Sequence, residues 1–103
     1  KYEGGARPPK GRLSLYSRFS RYFNPQSEAA CSRYVALARE HGLDPAQMAL
    51  AFVTQQPFVT SNIIGATTLA QLDSNIASLD LQLPEAVLQG IEAIHREQPN
   101  PAP

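Results

Sequence analysis

Tryptophan is absent from this chain, cysteine occurs once, and the acidic and basic residues balance at 9 each, so no net charge of either sign remains. Each shortage removes a class of explanation. A lone Cys31 cannot close an internal disulfide, so the chain is not a stapled secreted scaffold, and a reducing, cytoplasmic compartment is expected. Zero net charge suggests no nucleic-acid footprint, which would want a basic face. No apolar run is long enough to span a bilayer and no signal peptide opens the sequence. Neither nucleic acid nor a membrane is an expected partner, and no metal site is expected. The first residue is Lys1 and not Met, a hint that the sequence starts inside something longer. What is present is ordinary soluble composition, 43% hydrophobic against 17% charged over 103 residues, enough for one domain.

The most informative stretch runs from Ser61 to Asn75. A β-branched pair, Ile63-Ile64, leads into Gly65-Ala66 and Thr67-Thr68, and then Leu69, Leu72, Ile76 and Leu79 recur with helical period. The pattern predicts strand, tight turn, helix. Thr68 followed three residues later by Gln71 fits a capping box, in which the hydroxyl accepts from the third helical amide and the Gln side chain reaches back. Free amides at a helix start favour an anion, and Gly65 would let a phosphate approach the backbone without meeting a Cβ. A helix start that binds nothing reads the same way, so the pattern alone leaves both open.

Elsewhere, residues 1 to 26 are rich in Gly, Pro, Arg and aromatic residues and read as a long loop, with Gly4-Gly5, Pro8-Pro9 and Asn24-Pro25 as breakers. Arg7, Lys10, Arg12, Arg18 and Arg21 all fall here, either as a binding arm or as a solvated one. A helix is expected from about Ser27 to His41, closed by Gly42. Asp44-Pro45 should cap and start a second helix reaching about Gln55. Its residues Met48, Ala49, Leu50, Ala51, Phe52 and Val53 are apolar nearly all round, so burial on more than one side is expected. After the helix at 69 to 79, Pro84 leads into a last helix with Val87, Leu88, Ile91 and Ile94 facing inward. Residues 98 to 103 should lie extended.

Four helices and one strand make an incomplete set. A single buried strand cannot pair its backbone N–H and C=O groups, and each such group left unpaired away from water costs on the order of 1 kcal/mol or more. The difficulty vanishes if the chain is one segment of a larger α/β protein.

Gly42-Leu43-Asp44-Pro45-Ala46-Gln47-Met48-Ala49-Leu50-Ala51, then Ile63-Ile64-Gly65-Ala66-Thr67, then Gln71-Leu72 and Asn75 resemble the C-terminal portion of the aldo-keto reductases. Within that superfamily the chain is most similar to the bacterial Tas-like reductases, whose ending resembles 97 to 103, and more distantly to the potassium channel β-subunits. The resemblance implies an α/β fold, the C-terminal part of a (β/α)8 TIM barrel: a cofactor-covering loop at 1–26, and at 27–103 helix seven in two pieces, strand eight, helix eight and a C-terminal helix. It implies NADP(H) as cofactor, with Gly65, Ala66 and Thr67 at the adenosine phosphate and Gln71 and Asn75 toward the adenine end. Arg12 and Lys1 in the loop match cofactor contacts of relatives. Ser74 stands where a Glu is common in relatives, a departure that bears on the adenine-ribose contact. Gln71 stands where some relatives aim an Arg at the 2′-phosphate, so charge for that group has to come from elsewhere, and Arg12 is the expected source.

The family's catalytic Asp, Tyr, Lys and His match no residue here, and Tyr34 and His41 fall at no catalytic position. The resemblance therefore implies a parent enzyme that reduces small aldehydes or ketones, and an isolated chain that is inactive. The alternative is a truncated, non-catalytic product that survives by self-association or by pairing its strand with a partner. A free-standing helical interaction module fits the strand and the apolar second helix poorly.

Overall fold

A computed structural model describes all 103 residues. They form five α-helices, α1 (Arg12–Leu15), α2 (Pro25–Glu40), α3 (Pro45–Thr54), α4 (Leu69–Ala77) and α5 (Glu85–Glu97), with 3-10 turns at Glu3–Gly5, Ser17–Tyr22 and Ser78–Asp80. There is no strand. The one expected at 62 to 64 does not form: a strand is defined by a ladder, and no ladder pairs that segment with another. None of residues 60 to 66 makes a backbone-to-backbone hydrogen bond. The chain divides into two units, Lys1–Leu37 with Gln89–Pro103, and Ala38–Leu88.

In the first unit the expected long loop is folded. Tyr2 anchors it: its hydroxyl accepts from the Leu13 amide at 3.3 Å, and its ring meets Phe23 edge-on at 6.3 Å. Gly11 makes room for that hydroxyl, since a Cβ there would lie 2.6 Å from it. Asn24-Pro25 was expected to break structure and instead starts α2. The Asn24 side chain accepts from the Ser27 amide at 2.9 Å, and proline fills the first helical position, the logic foreseen only at Asp44-Pro45. The same side chain donates to the Pro101 carbonyl at 3.0 Å and so pins the proline-rich tail. Gly90 admits the Leu37 side chain, whose Cδ1 lies 2.6 Å from where a Cβ would sit. Ala30, Ile91 and Ile94 are buried in this unit.

In the second unit α2 ends in a Schellman motif: Leu43 donates to the Ala38 carbonyl at 2.8 Å and Gly42 to that of Arg39 at 3.0 Å. Gly42 holds φ +68° to allow this. Asp44 then caps α3, accepting from the Gln47 amide at 2.9 Å. Met48 and Ala51 are buried, as are Ser78, Leu83 and Val87. The burial on more than one side expected for α3 is not found, since Ala49 and Val53 lie exposed away from its buried side. The apolar row of α4 also faces outward, with Leu69 78% and Ile76 54% exposed.

Gly42→Ala should lower the unfolding free energy by about 1 kcal/mol, because alanine is strained at positive φ. Urea denaturation of the variant beside the parent protein measures this.

Candidate functional site

The turn from Gly65 to the start of α4 is built by three short-range contacts. Thr68 takes extended backbone angles and its hydroxyl accepts from the Gln71 amide at 3.2 Å, which fixes the helix start. Gln71 reaches back as expected but one residue further than a capping box requires: its Oε1 accepts from the Thr67 amide at 2.8 Å and from the Thr67 hydroxyl at 3.0 Å. A turn later along the same face, Asn75 donates from Nδ2 to the Gly65 carbonyl at 3.2 Å. Upstream, Asn62 Nδ2 ties the approach to α3 through the Leu50 carbonyl at 3.4 Å and the Thr54 hydroxyl at 3.3 Å.

Five of the residues assigned to the cofactor are therefore brought together: Gly65, Ala66, Thr67, Gln71 and Asn75. All but the partly covered Asn75 are exposed. Gly65 needs to be glycine for no reason internal to the chain. It lacks a left-handed φ, and a Cβ there would meet nothing within 4 Å. The space beside the turn is open, and two Thr67 donors already converge on a single acceptor atom. A phosphate oxygen offers the same acceptor chemistry as Gln71 Oε1, so the turn fits an anionic group.

Lys1 and Arg12 belong to the other unit. Lys1 lies 5.5 Å from the centre of the Tyr2 ring. Arg7 stacks on Phe23 at 3.8 Å, Arg18 lies 5.0 Å from Phe19, and Arg21 lies 4.9 Å from Tyr22. Arg12 is exposed at the first position of α1, and its guanidinium has no ion pair, hydrogen bond or ring partner. The aromatic residues of the arm thus hold most of its cations, a role that their spacing alone does not show.

Burial pushes the Tyr34 phenol up, Arg33 pulls it down and Glu92 raises it, and the net shift is upward. No group of three or more His, Cys, Asp or Glu side chains is placed to hold a metal ion. No helix is long and apolar enough to cross a membrane.

The aldo/keto reductase family model matches residues 2–96. The chain belongs to that family. It is 56% identical over all 103 residues to protein Tas of Escherichia coli (strain K12), and equally to protein Tas of Shigella flexneri, in each case over 30% of that protein's length. It is 34% identical over 84 residues to the probable aldo-keto reductase 1 of Glycine max, covering 82% of this chain and 24% of that one. The chain thus spans less than a third of the length of these curated relatives. Membership in the aldo/keto reductase family carries the family's barrel fold with it, and a mostly helical chain is consistent with part of such a barrel.

Thr68→Ala should destabilise the protein by about 1 kcal/mol through loss of the helix cap. Gln71→Ala should cost less, about 0.5 kcal/mol or under, because water can serve the exposed Thr67 donors it leaves behind. Thermal or urea unfolding of the two variants side by side separates them.

Proposed function

We propose that this chain is the closing part of an NADPH-dependent aldo-keto reductase acting on small aldehydes or ketones, and that it holds the adenosine end of the cofactor while the chemistry falls to residues outside it. The observation that carries the reading is the turn at Gly65 to Thr67, where an amide and a hydroxyl converge on one acceptor beside open space at a capped helix start. In this reading the Thr67 amide and hydroxyl would donate to a phosphate oxygen in place of Gln71 Oε1, and Gln71 and Asn75 would serve the adenine end. Arg12, unpartnered within its own chain, supplies the charge for the 2′-phosphate, and Lys1 adds to it. Bound NADPH would supply hydride to the carbonyl, and this chain's part is to bind and orient it.

The exposed apolar surface supports the barrel assignment. Ile63 is 97% exposed and Phe58 82%, in the segment that would be strand eight and its approach. In a closed barrel, flanking strands would pair the backbone of residues 62 to 64, and the packed interior and the ring of helices would cover side chains such as Ile63. Such exposure also supports a second reading, in which the chain alone associates with copies of itself through that segment. Sedimentation of the isolated chain distinguishes a monomer from such an assembly.

In the full-length protein, Arg12→Ala should weaken NADPH by about 1.5 to 3 kcal/mol and NADH far less, because the lost contact is charge-assisted and made only to the 2′-phosphate. Equal weakening of both cofactors, read by fluorescence titration, would remove Arg12 from that role. The isolated chain should show no reductase activity and negligible NADPH binding, because the rest of the site lies outside it. Saturable quenching of NADPH fluorescence by the isolated chain at low micromolar concentration would contradict that expectation.

A further inference from the structure

The arm contains a cavity of about 440 Å³ that none of the assigned cofactor contacts line. Its wall includes Arg7, Leu13, Ser14, Leu15, Ser20 and Phe23. Three features of that wall point the same way. Ser14 Oγ is buried and has no hydrogen-bond partner, and a hydroxyl in that state is destabilising unless something in the cavity satisfies it. Arg7 stacks at 3.8 Å on Phe23 and makes no ion pair or hydrogen bond. A ring face attracts the guanidinium without occupying its N–H donors, so these remain available to a planar, two-oxygen acceptor. Leu13, Leu15 and Phe23 set apolar surface beside the serines of the same wall, which gives a carbon body a place next to the oxyanion.

We propose that this cavity binds a carboxylate attached to a small apolar body, with Arg7 pairing to the two oxygens and Ser14 donating to one of them. The proposal rests on the reductase reading for its consequence, that the preferred carbonyl substrate carries a carboxylate, but the binding site itself does not depend on turnover. An oxyanion in this cavity could come from a substrate carboxylate or from a phosphate, and the two are separable by probe.

The test uses the full-length protein. Calorimetric titration with benzoate and, separately, with inorganic phosphate reads the site without catalysis, and 4-carboxybenzaldehyde against benzaldehyde at fixed NADPH reads its consequence. Benzoate should bind more tightly than phosphate, weaken about tenfold or more in Arg7→Ala and also weaken in Ser14→Ala, with Arg7→Lys retaining part of the affinity. The melting temperature of Ser14→Ala should not fall, because the orphaned hydroxyl is removed. A purely structural Ser14 would leave benzoate affinity unmoved. In turnover, KM for the carboxylated aldehyde should rise in Arg7→Ala while KM for benzaldehyde stays. Benzoate affinity unchanged in both alanine variants, or phosphate binding more tightly than benzoate, would overturn the proposal. Benzoate binding that depends on Arg7 in a protein that reduces neither aldehyde supports the site and counts against the reductase reading alone.

Discussion

Backbone amides and carbonyls need partners, and between residues 60 and 66 this chain gives them none from its own backbone. Much of the rest of the structure follows from that constraint. With no neighbouring strand to extend a sheet, Ile63 in this segment stands in solvent, and Phe58 shortly before it in the sequence is nearly bare. The helix that follows has no sheet to lie on, and its apolar row is turned outward. The uncovered side of α3 is the same effect one element earlier. What holds the segment is side-chain chemistry at its two ends, Asn62 on the Leu50 carbonyl and Thr54 hydroxyl, and Asn75 on the Gly65 carbonyl.

Helix termini are the opposite case, since each is closed by residues a few positions away. Asn24, Asp44 and Thr68 each accept from the amide three residues on, and Gly42 completes the end of α2. These devices need no distant partner and are worth about 1 kcal/mol each. The elements are thus sharply bounded, while the buried hydrophobic set is short and drawn mainly from small or aliphatic residues.

That division also explains what the sequence made legible. The bounds of α3, the Schellman end of α2, the cap at Thr68 and the inward face of α5 could be read because each depends on near neighbours. The strand at 62 to 64 could not be judged from local pattern, since β-branched residues state a preference and only a partner strand makes it structure. Asn24-Pro25 was misread as a break although Asp44-Pro45, with the same chemistry, was read as a start. Surroundings rich in glycine and proline hid it. In the arm, the aromatic and cationic residues were visible, but which ring meets which guanidinium depends on a backbone path set by Tyr2, Gly11 and Phe23, and no periodicity encodes that path. Ser14 gave no signal at all, because an orphaned hydroxyl exists only once its surroundings are built.

The arm's electrostatics resolve an apparent conflict between a chain of zero net charge and the proposed role in holding a polyanionic cofactor. Lys1, Arg7, Lys10, Arg12, Arg18 and Arg21 sit there against Glu3 as the only acid, so the balance of the whole chain conceals a strongly positive first quarter. Stacking on Tyr2, Phe23, Phe19 and Tyr22 orders four of those six cations without neutralising them, because a ring face attracts a cation but carries no net charge. Carboxylate partners would have ordered the same side chains and cancelled the field. An arm held by aromatic faces keeps its potential available to an incoming anion, and the unstacked Arg12 remains free to make the direct contact.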